Sequence, residues 1–395
     1  MNLSQRAQSI DPFYVMQVAK RAAQLERTLP PDAQRMIYLC IGEPDFSAPE
    51  PVQAAANAVI AKGTTQYTEA LGIFPLRQLI SDWYAQRFGV QVDPGRIVIT
   101  AGASAALQLA CLAFVNPGEE VLMPDPSYPC NRHILTAASA RAVLVPSGPQ
   151  QRYQLDAAMV AQHWGERTRG VLLASPSNPT GTSLDPQELQ QIIRAVHDRG
   201  GVAMLDEIYL GLSFDDRFGQ SGLAFSDQVV SINSFSKYFN MTGWRLGWLV
   251  VPSHAVQAVE SLAQNLYICA STVAQHAALV CFEADTLSIY EQRRAEFKAR
   301  RDYFIPALRE LGFGVPVMPD GAFYAWADAS MFFERLGVKD SSEFVNVVMN
   351  KAHLVLTPST DFSDRDQGTH VRFSTASSMA DLKEAIARLK VLLAP

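Results

Sequence analysis

The amino-acid sequence predicts an α/β protein: a large domain with a doubly wound, mostly parallel sheet of the seven-stranded type, and a smaller α+β domain. Short apolar runs alternate with helical patterns through the middle of the chain, as in parallel sheets with crossover helices. These runs are continuously apolar, which is typical of strands that helices cover on both faces. The last third differs, because a long charged helical pattern precedes isolated strand-like runs.

The strands of the large domain are expected one after another along the middle of the chain. A buried helix over residues 105–114 follows the first strand, and a helix over residues 186–199 has Asp185 as its N-cap. Ligands of such sheets bind at the carboxyl ends of the strands, so a functional site is expected there. The predicted strands cover residues 96–100, 120–123, 142–145, 170–174, 201–205, 229–232 and 246–251.

The two ends of the chain are expected to form the smaller domain together. Residues 1–45 are predicted to be an N-terminal segment packed on that domain, residues 46–289 the large domain, and residues 290–395 the small C-terminal domain. The patterns behind this division are helices over residues 1–30, 291–309 and 379–393 and strand-like runs at 321–326 and 370–374.

Composition and charge argue against several classes of protein. The 395 residues are 48% hydrophobic and 18% charged, which is ordinary for a globular chain long enough for two or more domains. A net charge of −6 without a long basic run argues against nucleic acid as a partner. No apolar stretch is long enough to cross a bilayer, and residues 1–6 lack the apolar core of a signal peptide.

The five cysteines are odd in number and lack C-x-x-C spacing, so they predict buried thiols in a reducing compartment. Disulfides and a metal site are not expected. Together with the absence of a membrane or nucleic-acid signal, this pattern leads us to expect a cytoplasmic enzyme.

A lysine follows one of the predicted strands. Ser234, Ser236 and Lys237 come directly after the run at residues 229–232, and Arg245 lies eight residues further on. A lysine amine can form a Schiff base with the aldehyde of pyridoxal phosphate, and serine and arginine can hold its phosphate. Taken alone, this cluster is more often a solvated strand end, so the rest of the chain must decide.

Polar side chains also follow the two strands before it. Asn178 lies between two prolines after residues 170–174, and its amide could donate to a phenolate oxygen on a cofactor ring. Asp206 ends the run at residues 201–205, where a carboxylate could pair with a protonated ring nitrogen, and Tyr209 could donate to the same ring oxygen. The alternatives are a proline-rich turn for Asn178 and an acidic strand end facing water or a metal for Asp206.

Two earlier strand ends complete the set. Gly102, Ala103 and Ser104 are small residues at a predicted helix start, where backbone amides could receive a phosphate. They match neither a dinucleotide fingerprint nor a P-loop, and a purely structural turn is the alternative. Tyr128 could stack on a flat ring, or could be an ordinary core or rim tyrosine. Five strand ends together offer every group that pyridoxal phosphate requires.

The chain resembles the fold-type I, pyridoxal-phosphate-dependent class I/II aminotransferases of the aspartate aminotransferase superfamily. The resemblance runs from about residue 39 to residue 374 and is specific because four motifs occur in the family's order. They are Ser-Asn-Pro-Thr-Gly at 177–181, Asp-Glu-x-Tyr at 206–209, Ser-x-Ser-Lys at 234–237 and Gly-Trp-Arg-x-Gly at 243–247.

The resemblance implies a role for each polar residue at the strand ends. Lys237 would bond to the cofactor and carry the proton of the 1,3-shift, and Asp206 would pair with the ring nitrogen. Asn178 and Tyr209 would hold the ring oxygen. The remaining implied cofactor contacts are the stacking residue and the phosphate-binding group: Tyr128, Gly102, Ala103, Ser104, Ser234, Ser236 and Arg245.

Three further positions follow from the resemblance. Arg372 would bind the substrate α-carboxylate in a bidentate manner, together with Asn178, although the residues alone leave a surface strand arginine equally open. Gly42 would lie beside that carboxylate. Tyr67 would reach the cofactor phosphate of a neighbouring subunit, so a homodimer with shared active sites is expected.

The predicted activity is transfer of an amino group between an L-amino acid and a 2-oxo acid by a ping-pong mechanism. In prokaryotic aspartate-specific relatives the position of Ser104 commonly carries a lysine, so aspartate specificity is not expected. Aromatic residues in the segment 10–16 favour a neutral or apolar substrate. A C–S lyase, an aminocyclopropane-carboxylate synthase-like enzyme and a non-catalytic cofactor-binding regulatory domain are the alternatives. A pattern that begins near residue 10 leaves no room for the DNA-binding head of such a regulator.

Overall fold

The computed structural model describes residues 2–30, 33–364 and 368–394. Within these ranges the chain forms twelve strands in three sheets. The strands are β1 (Ile37–Tyr38), β2 (Ile97–Thr100), β3 (Glu120–Asp125), β4 (Arg141–Pro146), β5 (Thr168–Ala174), β6 (Val202–Asp206), β7 (Val230–Ser234), β8 (Gly247–Val250), β9 (Tyr324–Asp328), β10 (Leu354–Val355), β11 (Thr357–Pro358) and β12 (His370–Ser374).

Helices surround these sheets, and fourteen α-helices lie within the same described ranges. They are α1 (Gln5–Gln8), α2 (Tyr14–Glu26), α3 (Glu50–Ala61), α4 (Phe74–Phe88), α5 (Ala103–Phe114), α6 (Pro129–Ala137), α7 (Ala157–His163), α8 (Pro186–His197), α9 (Val256–Leu266), α10 (Thr272–Ala278), α11 (Ala284–Leu311), α12 (Phe333–Leu336), α13 (Ser341–Ala352) and α14 (Met379–Leu392). None of the described helices is both long and apolar enough to span a membrane.

The largest sheet has seven strands in the order β2-β8-β7-β6-β5-β3-β4. Within this sheet β8 runs opposite to the other six described strands, so the predicted mostly parallel α/β fold is confirmed. Successive residues of a strand point to opposite faces of a sheet. Accordingly Ile97 and Ile99 pack in one apolar cluster and Val98 packs in another, which explains why the strands are continuously apolar.

The start of helix α8 shows how the local sequence determines where a helix begins. Asp185 caps α8, and its side chain accepts a hydrogen bond from the Gln187 amide at 3.0 Å, which confirms the predicted N-cap. Apolar residues at helical spacing follow, including Leu189, Ile192 and Val196, and they form the buried face of α8 that packs on the sheet.

The two smaller sheets bring both ends of the chain together. They are the three-stranded antiparallel sheet β11-β12-β9 and the parallel pair β1-β10. One apolar cluster contains residues from Val18 to Cys40 together with residues from Phe304 to Leu393. The predicted domain limits stay predictions, and α11 runs without a break through the limit placed between residues 289 and 290.

One predicted strand begins later than its apolar run suggests. The run at residues 321–326 becomes β9 only from Tyr324 onward. Ala322 has a left-handed backbone with φ of +56°, and a Cβ atom on Gly321 would collide with Pro176. The chain therefore turns closely against the large domain before it enters the sheet.

Candidate active site

The carboxyl ends of β5, β6 and β7 open into a cavity of about 700 Å³ between the large sheet and the small sheet. Twelve of the fourteen residues singled out from the sequence line this cavity. They are Gly42, Ala103, Ser104, Tyr128, Asn178, Asp206, Tyr209, Ser234, Ser236, Lys237, Arg245 and Arg372. Gly102 lies directly behind the lining, and Tyr67 lies outside it with 77% of its surface exposed.

Lys237 lies in the turn after β7 and is partly buried. Its Nζ donates a hydrogen bond to the Gly42 carbonyl oxygen at 2.5 Å and lies 5.7 Å from the centre of the Tyr209 ring. Burial lowers the pKa of Lys237 to about 8, and the nearby Glu43 carboxylate opposes this shift. A substantial fraction of the amine is therefore neutral near pH 8, as a nucleophile or a base requires.

Asp206 is the last residue of β6, between the parallel strands β5 and β7. Its side chain is buried, and Oδ1 accepts a hydrogen bond from the Ile208 amide at 3.4 Å. Burial raises the pKa of Asp206 to about 6, while the Ile208 amide and the charge of Lys237 oppose the shift. The carboxylate is thus ionised at neutral pH in a place where a cationic partner would stabilise it.

A second group of donors gathers where β2 leads into α5. Gly102 occupies the N-cap position of α5 with φ of +81°, and no side chain of the described residues caps this helix. A Cβ atom on Gly102 would lie 2.6 Å from Nη2 of Arg245, so glycine is needed for this approach. Ser234 Oγ donates to Ser236 Oγ at 2.9 Å beside them. Helix amides, two hydroxyls and a guanidinium form a suitable cradle for a phosphate.

Arg372 lies on β12, the middle strand of the small sheet, with only 1% of its surface exposed. Its Nη1 donates to Asn178 Oδ1 at 2.9 Å, and Nη2 donates to the Cys40 carbonyl oxygen. Its Nε has no hydrogen-bond partner within the described part of the chain. No carboxylate of the described residues forms an ion pair with this buried guanidinium, a costly arrangement that is expected of a site that receives an anionic ligand.

Tyr324 also reaches the cavity, and the sequence did not single it out. Its hydroxyl lies 2.7 Å from the Tyr209 hydroxyl, and its ring lies 4.7 Å from the Arg372 guanidinium. Burial raises the pKa of both tyrosines, so both phenols keep their protons at neutral pH. A tyrosine inside an apolar strand resembles an ordinary core residue, and no local signal distinguishes it.

The opposite side of the cavity is apolar and comes from distant parts of the chain. The segment 10–16 contributes three of its residues, and Phe13 meets the Tyr128 ring edge to face at 5.9 Å. We call the following residues the apolar wall: Phe13, Val15, Met16, Ala19 and Ile41. Glu43 and Thr242 also line the cavity, are hydrogen-bonded to each other, and were not predicted.

The donor set in this cavity fits pyridoxal phosphate. The phosphate cradle at α5, the buried carboxylate of Asp206 and the amine of Lys237 all open into the same space. A dianionic phosphate, a protonated ring nitrogen and an aldehyde are the cofactor groups that these residues would meet. The cradle around Gly102, which a Cβ atom would fill, is the observation on which this fit rests.

Comparison with known proteins gives the same result. The family model "Aminotransferase class I and II" matches residues 34–389. The chain is 38% identical over 383 residues to a valine–pyruvate aminotransferase of Mycobacterium tuberculosis, covering 96% of each chain. It is 31% identical over 394 residues to a (5-formylfuran-3-yl)methyl phosphate transaminase of Methanocaldococcus jannaschii, covering 99% of each.

A solved structure of an aminotransferase from Mycobacterium tuberculosis superimposes with a TM-score of 0.94 at 37% identity, covering 100% of this chain and 99% of that one. The chain therefore belongs to the class I and II aminotransferases, which use pyridoxal phosphate. The predicted family, transaminase activity and cofactor are confirmed.

Proposed function

We propose that this aminotransferase moves amino groups between a neutral or apolar L-amino acid and a 2-oxo acid by a ping-pong mechanism. The observation that carries the proposal is that one cavity joins Lys237, Asp206 and Arg372 to the apolar wall. One lysine and one carboxylate-binding arginine must serve both substrates, so the two half-reactions take turns in the same space. Initial rates at several fixed concentrations of the oxo acid should therefore give parallel reciprocal plots.

Lys237 is the proposed catalytic residue. Pyridoxal phosphate, when bound, supplies an electron sink for the electron pair left by the departing α-proton. The Lys237 Nζ atom takes that proton while it is neutral, and the lowered pKa of the amine favours this state. Its hydrogen bond to Gly42 holds Nζ beside the segment that faces the substrate.

The other strand-end residues are proposed to hold the cofactor. Asp206 would keep the ring nitrogen protonated, because no cation of the described residues forms an ion pair with its buried carboxylate. Asn178 has its Oδ1 occupied by Arg372, so its amide group remains as a donor to the ring oxygen, together with the Tyr209 hydroxyl. The ring of Tyr128, which lines the cavity, would stack on the cofactor ring.

The phosphate is proposed to lie at the start of α5. The amides of Ala103 and Ser104 meet it at the positive end of the helix dipole, and Ser234, Ser236 and Arg245 supply further donors. Ser236 is already ordered by the hydrogen bond between its amide and Ser234 Oγ at 3.0 Å. This arrangement fixes the cofactor at one end while the ring meets the substrate at the other.

The substrate carboxylate is proposed to bind Arg372, with Asn178 and the Gly42 backbone beside it. The Tyr324 ring and the Phe362 ring each lie 4.7 Å from the guanidinium and restrict its orientation. A Cβ atom on Gly42 would collide with the Tyr324 hydroxyl. The backbone can therefore lie this close to Tyr324 only because residue 42 is glycine. Truncation of Arg372 should therefore weaken every amino-acid substrate alike.

The substrate side chain is proposed to rest on the apolar wall. Ser104 brings no charge for a second carboxylate, and among the described residues the cations that line the cavity are Lys237, Arg245 and Arg372, each with a proposed role. A relative at 38% identity is a valine–pyruvate aminotransferase, which also supports an apolar amino acid and pyruvate as the pair.

A panel of L-amino acids with pyruvate or 2-oxoglutarate tests this substrate class. We expect valine, leucine and other apolar amino acids to have kcat/KM values at least about tenfold above that of aspartate, from the apolar contact alone. Aspartate as the best donor would contradict the proposal. Release of ammonia without any oxo acid would indicate an eliminating lyase instead.

A homodimer with shared active sites is also proposed. Tyr67 is exposed in the single chain, and the neighbouring Gln66 carbonyl accepts a hydrogen bond from Thr272 Oγ1 at 2.6 Å. Phe74 and Ile268 are exposed apolar side chains, as expected of a surface that a second subunit covers. Sedimentation of the wild type should give twice the chain mass, and Tyr67→Phe should weaken cofactor binding without separating the subunits. A monomeric active enzyme would contradict it.

A further inference from the structure

We propose that Asp361 is a positioning residue for substrate side chains. Its carboxylate caps the start of helix α2 and thereby holds the apolar wall of the cavity in place. The inference depends on the proposed function, because the apolar wall matters to catalysis only if substrate side chains rest on it. Asp361 itself does not line the cavity.

Helix α2 begins without a cap of its own. Phe13 occupies its N-cap position, and a phenylalanine side chain has no acceptor for the first amides of the helix. The Tyr14 amide donates to Oδ1 of Asp361 and the Val15 amide donates to Oδ2, each at 3.2 Å. A residue more than 340 positions away in the sequence therefore supplies both acceptors.

The capping carboxylate is itself held firmly. Asp361 is 5% exposed and follows Ser359, whose Oγ lies 3.1 Å from the Ser341 Oγ at the start of α13. On its other side, the Phe362 carbonyl oxygen accepts a hydrogen bond from the Ser127 amide of the large domain at 2.9 Å. Asp361 thus lies on a segment fixed at both ends, with its charge at the positive end of α2.

The capped turn determines where the apolar wall lies. Phe13 contacts the Tyr128 ring, and Val15 packs in a small cluster with Trp326 and Phe362. The Phe362 ring in turn lies 4.7 Å from the Arg372 guanidinium. Residues 13–16 therefore contact both the proposed stacking ring and the aromatic ring that packs on the proposed carboxylate-binding arginine. The Asp361 cap fixes the position of this turn.

Loss of the cap should weaken binding according to the size of the substrate side chain. In the holoenzyme, Asp361→Ala should raise the KM for L-valine by up to about tenfold, the fold-change expected if the stabilisation that a helix cap provides is lost entirely from substrate binding. L-alanine hardly reaches the apolar wall, so its KM should change less than about twofold, and kcat should be little affected for either. Asp361→Asn keeps one acceptor oxygen and should give an intermediate KM for valine, about threefold above the wild type.

Asp185→Ala is the matched control. It removes the cap of α8, a helix of similar length that lines no part of the cavity, together with one exposed ion pair to Arg217. Both KM values should stay at the wild-type level in this variant. Equal rises for valine and alanine in Asp361→Ala, or no rise for either, would overturn the inference.

Hydrogen exchange measured by mass spectrometry tests the cap without reference to turnover. Peptides covering residues 10–20 should exchange faster in Asp361→Ala than in wild type or Asp185→Ala, because the Tyr14 and Val15 amides lose their acceptors. Unchanged exchange in these peptides would overturn the inference even if KM changes. If the wild type does not use apolar amino acids at all, the proposed function fails, and this exchange result still decides whether Asp361 holds the turn.

Discussion

The two sides of the cavity are built in different ways. The cofactor side consists of polar side chains at the carboxyl ends of β2, β5, β6 and β7, all within one sheet. The substrate side consists of the apolar wall and Arg372, which come from the two ends of the chain and meet through contacts between distant residues. One side is therefore set by the fold of a single sheet, and the other by how separate segments are fastened together.

This difference predicts two kinds of mutational effect. Changes on the cofactor side should lower kcat for every substrate, because the chemistry is common to all of them. Changes on the substrate side should mainly raise KM, alike for all amino acids at Arg372 and unequally for different amino acids at the apolar wall.

Lys237→Ala should have the largest effect. Removal of the amine eliminates the proposed proton carrier, and general acid–base catalysis commonly contributes about 10²–10⁴-fold to the rate. We expect kcat to fall by at least that factor for all substrates in a coupled assay. The exposed Lys298, paired with Asp302 at 2.8 Å, provides the control Lys298→Ala, which should keep full activity. Turnover by Lys237→Ala at the wild-type rate would refute the assigned role.

Asp206→Asn should come next, with a loss of kcat on the order of 10²–10³-fold, as for other buried groups that stabilise developing charge. The adjacent Glu207 is the matched control. Its buried carboxylate accepts hydrogen bonds from Ser231 Oγ at 2.6 Å and the Gly222 amide at 2.7 Å, away from the cavity lining.

Glu207→Gln should therefore lower the free energy of unfolding by about 1–3 kcal/mol, since the glutamine amide nitrogen cannot accept the hydrogen bonds that one carboxyl oxygen accepts. Its kcat should stay near the wild-type value. Of these two neighbouring carboxylates, Asp206 would then act on the cofactor and Glu207 would stabilise the fold. Equal losses of kcat in both variants would contradict this separation.

Arg372→Lys should raise the KM for every amino acid by on the order of 10–100-fold, because lysine cannot replace a bidentate guanidinium contact. The effect on kcat should be smaller than that of Asp206→Asn. Arg388 is a buried arginine of the same region that bonds to Glu384 and lines no part of this cavity. Arg388→Lys should leave KM unchanged, and a KM effect of equal size there would point to general loosening of the small sheet.

The smallest expected effect concerns the pH dependence of cofactor attachment. Only the neutral Lys237 amine can attack the aldehyde, so uptake of pyridoxal phosphate by cofactor-free protein should rise with pH around a midpoint near 8. Glu43 favours the charged amine, so Glu43→Gln should lower the midpoint, by up to about one unit. Stopped-flow absorbance measures both curves. The exposed Glu310 gives the control Glu310→Gln, and an upward shift in Glu43→Gln would contradict the account.

The sequence was most informative where local patterns decide the structure. Ile97 and Val98 belong to one apolar run, and helices do cover both faces of their strand. Asp206 and Lys237 were identified because polar residues directly follow buried strands, and such residues gather at one edge of a parallel sheet. The family resemblance then pointed to Arg372, whose burial no local pattern revealed.

The residues that the sequence did not identify depend on contacts between distant segments. Tyr324 looks like a core aromatic, and its place beside Tyr209 is set by the turn that delays β9. Asp361 caps a helix at the other end of the chain, a pairing that no spacing in the sequence indicates. The apolar wall was foreseen only as a tendency of the segment 10–16, because its other members join it through the tertiary fold.

The substrate side of this cavity is proposed to receive apolar side chains. Single-turnover conversion of the holoenzyme by L-valine and by L-aspartate, followed by cofactor absorbance, tests it most directly, with Ser104→Lys as the partner variant. We expect valine to react at least about tenfold more efficiently than aspartate in the wild type, and this ratio to fall in Ser104→Lys. Equal or faster conversion by aspartate in the wild type would contradict the claim.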